Sequence, residues 1–344
     1  MTAQQAGAPA GPLLTLQDLA VSYRTRRGPR SSRQIRAVDG VSFSLGTGEI
    51  LALVGESGCG KTSIVRAIAR LEESAGGQVL FRGADITHAR GPALRQLRRD
   101  IQVVFQDPFE SLDPRLTAFD TVAESLLVHK IGDGKTGRRE QVLTMLEQVG
   151  LHPAETIARR YPHQLSGGQR QRLVIAGAMV LGPDLVIADE PVSMLDVSLR
   201  AGILRLMLDL RDKRGVSILF VTHDLSLAWV VADRVAVVYL GRIVEIGTAD
   251  EIIRAPLHPY TRALVSVIPV PETTTARRER ILLRGEAPSA SRIPGGCRFH
   301  PRCPLYRQLG EPERCRTEDP ALAPPDETSP SEHTAACHFM KESD

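Results

Sequence analysis

The sequence predicts an α/β fold: a P-loop core, an antiparallel β portion, an inserted α-helical subdomain, and a small cysteine-bearing C-terminal extension. Three observations predict it. GESGCGKT, residues 55–62, follows the apolar run ILALV and precedes the helical pattern TSIVRAIARL. LVIADE (185–190) and SILFVTHD (217–224) each carry a short apolar run, LVIA and ILFV, that ends in polar groups, the mark of parallel strands covered on both faces. Between about 107 and 165, helical spacing recurs with no strand between.

Composition sets the bounds. The chain of 344 residues is long enough for two domains, or for one large domain with an appendage. Hydrophobic residues at 42% and charged residues at 24% describe an ordinary globular protein. A net charge of +3, from 43 basic and 40 acidic residues, gives no argument for nucleic acid as a partner. No apolar run approaches the roughly 18–20 residues of a membrane span. MTAQQAGAPAGP lacks the basic and apolar regions of a signal peptide, which points to the cytosol, where disulfides are disfavoured.

In chain order, residues 1–12 are small and polar and read as disordered. A strand is expected at 13–23, then the basic stretch RTRRGPRSSRQIR (24–36), either a solvated hairpin loop or a contact for an anionic partner or lipid headgroup. Strands follow at 41–45, 50–54, 79–81 and 101–105. Pro108 and Pro114 break the chain, and TVAESLLVH and REQVLTMLEQVGL then show helical spacing. Helices at 197–213 and 225–232 alternate with strands at 185–188 and 216–221, and a hairpin closes the core at 234–247, turning at Leu240-Gly241-Arg242. The domain reading is thus a core at 13–250, with its helical subdomain near 107–165, and an extension at 251–344.

GESGCGKT fits G-x-x-x-x-G-K-[ST] at every fixed position, and the strand before it and helix after it are the context that makes the match specific. Gly55, Gly58 and Gly60 let the backbone wrap phosphates closely. The amides of Glu56, Ser57, Cys59 and Ser63, with the helix N-terminus, suit negative charge. Lys61 is placed for β- and γ-phosphates and the Thr62 hydroxyl for Mg²⁺. Asp189, ending its strand, suits Mg²⁺ held through water, and Glu190 beside it can polarise an attacking water. Gln106, at the end of IQVVF, can touch both the metal ion and that water. His223 follows a buried strand, where a γ-phosphate role outweighs a structural one. The stretch YPHQLSGGQRQRLVIAGAMVLGPDLVIADE (161–190) joins an anion-binding helix start at Ser166 to these carboxylates.

The P-loop, Gln106, LSGGQ, LVIADE, SMLD (193–196) and His223, in that order, resemble an ABC-transporter ATPase over residues 13–250. The resemblance implies a P-loop NTPase core and a head-to-tail dimer sandwiching two ATPs. Ser166, Gly168 and Gln169 would then face the partner's nucleotide. It further implies that Tyr23 stacks on adenine, that Glu190 is the general base and that His223 is the γ-phosphate switch. Met194 departs from the family's usual alanine and Gly177 from its usual arginine; neither removes a catalytic group. LHPYTRAL, GEAPS and GGCRFHPRCP resemble the oligopeptide/dipeptide/nickel importer branch, and QDPFESLDPR with DEPVSMLDVS resembles its second, F-type ATPase.

That branch implies a paralogous second ATPase in a heterodimer, two membrane permease subunits and an extracytoplasmic solute-binding protein. It places the chain peripherally at the cytoplasmic face of the cell membrane. Peptide is the expected cargo, with nickel or oligosaccharide cargo, or a soluble non-transport ABC ATPase, as the alternatives. Cys297, Cys303, Cys315 and Cys337, spaced C-x5-C-x11-C-x21-C, suit structural Zn²⁺ or an iron–sulfur cluster by ligand chemistry. The resemblance favours a [4Fe–4S] cluster, expected to staple a tail too polar to hold a core of its own.

Overall fold

The structure, a computed structural model, describes residues 11–26, 32–268, 280–286, 288–326 and 332–342. The expected disorder at 1–12 therefore falls almost wholly outside the described residues, as does the centre of the arginine-rich loop, 27–31. The strands are β1 (Leu14–Arg26), β2 (Ser32–Leu45), β3 (Ile50–Val54), β4 (Gly76–Phe81), β5 (Ala84–Asp85), β6 (Ile101–Val104), β7 (Leu185–Asp189), β8 (Ser217–Thr222), β9 (Arg234–Tyr239), β10 (Arg242–Thr248) and β11 (Thr334–Ala335). The chain divides into two compact units that interleave along the sequence. One holds Leu45–Glu49 and His88–Val221; the other holds Leu14–Ser44, Ile50–Thr87 and the residues from Thr222 onward.

In the first unit β6, β7 and β8 pair in parallel, Ile101 opposite Leu185 and Leu185 opposite Ser217. Every residue of β7 and β8 is buried, which is why their centres, LVIA and ILFV, read as unbroken apolar runs. Parallel pairing brings the C-terminal ends of these strands to one edge, and Asp189 sits at that edge because β7 ends there. The helices Ala118–His129, Gly134–Gln148, Ala154–Ala158 and Gly167–Met179 bury Val122, Leu126, Val142, Leu146, Ile157 and Leu173. Two of them start on reciprocal caps, Thr117 with Asp120 and Ser166 with Gln169, each satisfying amides that the first turn leaves unpaired.

In the second unit β1 and β4 pair antiparallel, and β4 turns into β5 through Arg82 and Gly83, both at positive φ. β3 lies parallel to β9, Leu51 opposite Arg234, and β9 returns as β10 through Leu240-Gly241, the expected turn. The tail adds β11 antiparallel to β10, Glu245 opposite Ala335. The tail also contributes to this unit's core. Phe299 is 1% exposed, its ring edge-on to Tyr239 at 5.2 Å and tilted on Tyr260 at 5.4 Å. Burying one such ring stabilises by about 1.5–3 kcal/mol. The carboxylate of Glu245, wholly buried, accepts from the N–H groups of Leu257 and His258, each at 2.8 Å, and pairs with His333 at 2.7 Å. A buried charge so fully partnered locks the tail to β10.

Candidate functional site

The loop after β3 is built so that only glycine fits its tight points. A Cβ on Gly55 would collide with the carbonyl oxygen of Val238, and one on Gly60 with that of Ala37. Gly58 and Gly60 sit at φ +78° and +109°, a region open to glycine and strained for other residues. The helix Lys61–Ile68 starts with no side-chain cap and no acid in its first turn, leaving its first N–H groups for an external anion. Lys61, 5% exposed, runs back along the loop, its Nζ donating to the carbonyls of Gly55 at 2.6 Å and Glu56 at 3.1 Å. Thr62 is exposed at the helix start, and Ser63 accepts from the Tyr23 hydroxyl at 3.1 Å. Cys59 is buried, and burial raises its thiol pKa, as befits a residue with no catalytic task. Ser57 and Gly58 are exposed on the outer turn.

The loop has two partners that sequence alone does not reveal. Glu56 donates its N–H to the Tyr260 hydroxyl at 3.1 Å, and its carboxylate accepts from both terminal nitrogens of Arg302 at 2.9 and 3.2 Å. Each lies more than two hundred residues along the chain, with no shared motif to signal the contact.

The second group of candidates lies in the other unit. Asp189, 6% exposed, ends β7. Glu190 follows at φ +49°, rare for a residue with a side chain and a mark of backbone held by its surroundings. Its N–H donates to the Val221 carbonyl at 2.8 Å, and its own carbonyl accepts from the Ser193 hydroxyl at 3.0 Å. The Gln106 side-chain amide donates to the Glu190 carboxylate at 3.1 Å, a contact bridging 84 positions of sequence. Sequence reasoning places Gln106 on metal and water; the structure brings it to the carboxylate itself.

Ser166 caps the helix Gly167–Met179, accepting from the Gln169 N–H at 3.3 Å, and Gln169 returns the bond to the Ser166 N–H at 3.0 Å. Gly168 is buried, with space for a Cβ only at 3.3 Å from a methyl of Leu199. His223 stands exposed directly after β8, in the unit that carries the P-loop, and Asp224 behind it caps the next helix by accepting from Ser226 at 2.9 Å.

Two families match this chain: ABC transporter over residues 38–193, and the C-terminal region of oligopeptide/dipeptide transporters over 244–308. The oligopeptide transport ATP-binding protein AppF of Bacillus subtilis is 45% identical over 331 residues, covering 95% of this chain and 97% of that one. The chain belongs to the ABC transporter family. The di/tripeptide transport ATP-binding protein DppF of Pseudomonas aeruginosa is 44% identical over 333 residues, covering 96% and 98%. Among solved structures, the dimeric ATP-binding cassette MJ0796 in a post-hydrolysis state bound to ADP and Pi shares 28% identity at a TM-score of 0.61, over 69% of this chain and 98% of that one. The fold is therefore that of an ABC ATPase, and both named relatives carry the F designation expected from the sequence.

One expectation is overturned in this ABC protein. Among the described residues no group of three or more His, Cys, Asp or Glu side chains could hold a metal ion, so neither the iron–sulfur cluster nor the alternative zinc site at Cys297, Cys303, Cys315 and Cys337 stands. The relatives' names mention no such cluster either. The four are free thiols against a small pocket walled by Pro259, Phe299, Leu305 and Tyr306. Burial in that apolar setting pushes Cys297 up to about 12 and Cys303 and Cys337 to about 11. Two sulfurs instead accept backbone N–H groups, Cys303 from Tyr306 at 3.4 Å and Cys337 from Phe339 at 3.5 Å. The staple expected of a cluster is supplied by Phe299, β11 and Glu245.

Proposed function

We propose that this chain is the ATP-hydrolysing subunit of an ABC importer that takes up peptides through separate membrane subunits. The observation that carries the cargo reading is the pair of relatives above, matched over almost their whole length and named for oligopeptide and di/tripeptide transport. Among the described residues no helix is long and apolar enough to cross a membrane, which fits a subunit that works with membrane partners. Those partners are proposed to be two permease subunits and a paralogous ATPase in a heterodimer, served by an extracytoplasmic solute-binding protein. The chain would then sit at the cytoplasmic face of the cell membrane, with residues 13–250 as the ATPase, 107–165 as its helical subdomain and 251–344 as the extension.

The chemistry is in-line attack of water on the γ-phosphate of ATP. The glycine-lined cradle, which a Cβ would fill, and the uncapped helix start suit the phosphates. Lys61 is proposed to exchange its loop carbonyls for β- and γ-phosphate oxygens, and Tyr23 to stack on adenine. Thr62, Asp189 and Gln106 offer the hydroxyl, carboxylate and amide oxygens that suit Mg²⁺, which when bound neutralises phosphate charge. Glu190 is the proposed base. Gln106 orients its carboxylate, which would accept the proton of the attacking water. His223 is proposed to read the γ-phosphate, while Ser166, Gly168 and Gln169 face a nucleotide on the second ATPase. Catalysis by positioning and charge stabilisation is then complete only when two subunits close.

Proteoliposomes holding both ATPases, the permeases and the binding protein test the cargo. Uptake of labelled di- to pentapeptides driven by internal ATP is expected. Uptake of nickel or an oligosaccharide in place of peptide would overturn the peptide assignment and leave the ATPase reading intact.

A further inference from the structure

The second residue of the P-loop is gripped by the C-terminal extension at both its backbone and its side chain. Arg302, 8% exposed, forks onto the Glu56 carboxylate at 2.9 and 3.2 Å, lies over the Tyr239 ring at 5.9 Å from its centroid, and reaches the Tyr239 hydroxyl at 3.5 Å. Its own backbone is tied by a bond from its N–H to the Phe299 carbonyl at 2.9 Å, and Phe299 is wedged between Tyr239 and Tyr260. Tyr260 in turn accepts the Glu56 N–H at 3.1 Å. On the loop's other side, the Glu56 carbonyl takes the Lys61 ammonium at 3.1 Å. A continuous chain of contacts thus runs from the tail, through Glu56, to the phosphate-binding lysine.

Tail docking alone does not need this arrangement. Arg298 already anchors the tail, donating to the Leu240 carbonyl at 2.6 Å and pairing with Asp39, and Phe299, Glu245 and β11 hold it independently. Arg302 differs in that its acceptor belongs to the loop. A loop whose amides must converge on phosphate loses conformational freedom when the anion arrives, and fixing it beforehand lowers that cost. A planar guanidinium forked on a carboxylate fixes both position and orientation, which a single ammonium contact does not.

We propose that Arg302 is a positioning residue for nucleotide binding, holding Glu56, and through it the P-loop, in the conformation that receives the phosphates. The inference rests on the P-loop reading proposed above. By reciprocity, nucleotide in the loop tightens the tail segment 297–303 as much as that segment tightens the nucleotide.

The test uses the full-length chain with ATP under non-hydrolysing conditions, followed by calorimetry and by amide hydrogen exchange. Arg302→Gln is expected to weaken ATP binding about tenfold, Glu56→Gln by a similar factor, and the double variant no further, since both remove one contact. Arg302→Lys, keeping charge but not the fork, is expected in between. Exchange at residues 56–63 should quicken in Arg302→Gln while the β10–β11 ladder keeps its protection, and ATP should slow exchange at 297–303 in wild type but not in this variant. Glu56→Gln leaves every tail residue in place, so it decides the matter if Arg302→Gln loosens the tail. Affinity within twofold of wild type in Glu56→Gln, or losses that multiply in the double variant, overturns the proposal. Lys61→Ala separates the two readings: unchanged ATP binding there brings down the P-loop assignment and the clamp with it, while lost binding keeps the loop and leaves the clamp to stand or fall on Glu56 and Arg302.

Discussion

Lys61 and Glu190 show how differently single residues can be read. Lys61 sits at a fixed position of a dense local motif, and its backbone setting, a glycine cradle before an uncapped helix, follows from the neighbouring letters. Replacing it with alanine removes the one ammonium the loop directs inward, so nucleotide affinity should drop by about two orders of magnitude or more. Equilibrium binding of a fluorescent ATP analogue measures this, and an unchanged affinity contradicts the proposed role. Glu190 is also locatable from sequence as the residue closing LVIADE, but its left-handed backbone and its tie to Gln106 are not. Those depend on which strands become neighbours, a property of the fold. The cysteine expectation failed at this same scale. Four thiols at irregular spacing satisfy ligand chemistry on paper, yet their burial and their bonds to backbone N–H groups come only from three-dimensional packing.

Secondary elements were legible where one face or both faces are apolar. β3 matches its expected bounds, and β7, β8 and the β9–β10 hairpin each fall within a residue or so, because buried strands write themselves as apolar runs. The helix Gly91–Asp100 was not foreseen: it buries only Leu97 among arginines and polar residues, too little to show a period. β11 is two residues long and carries no pattern of its own. Gly177 lies within the helix Gly167–Met179 with open space where a Cβ would go. Gly177→Ala should therefore stabilise this unit by about 0.5–1 kcal/mol, seen as a higher denaturant midpoint. A lower midpoint would mean that the glycine serves a packing role absent from this structure. Conversely Thr117→Ala removes the cap bond to the Asp120 N–H at 3.2 Å and should cost about 1 kcal/mol in the same assay.

Across the whole molecule, the α/β class and the order of motifs were plain in the sequence, whereas the tail's integration was not. The tail looked too polar for a core because two of its buried groups, Phe299 and His333, find partners at Tyr239, Tyr260 and Glu245, far away in the chain. This integration carries a pH signature. Burial depresses His258 from its ordinary 6.5 to about 4, against the raising effect of Glu245, and its Nδ1 accepts from the Tyr260 N–H at 3.0 Å as a neutral ring must. Below about pH 6.5 the unfolded chain takes up a proton that the folded one refuses. Stability is thus full above that pH and falls as pH drops toward 4, by on the order of 3 kcal/mol at most from this group. Denaturation curves at a series of pH values should show that slope flatten in His258→Asn, which keeps an acceptor near the same place; an equal slope in both proteins would assign it elsewhere.

The central claim is that this ABC protein hydrolyses ATP with Glu190 as base, and Glu190→Gln tests it most directly. The variant keeps size and the amide contact to Gln106 while removing the proton acceptor. Measured in the complex assembled with the proposed partner ATPase, single-turnover hydrolysis at this chain's own P-loop should fall by at least about a hundredfold, with ATP affinity unchanged or tighter. Hydrolysis there at close to the wild-type rate would contradict the account.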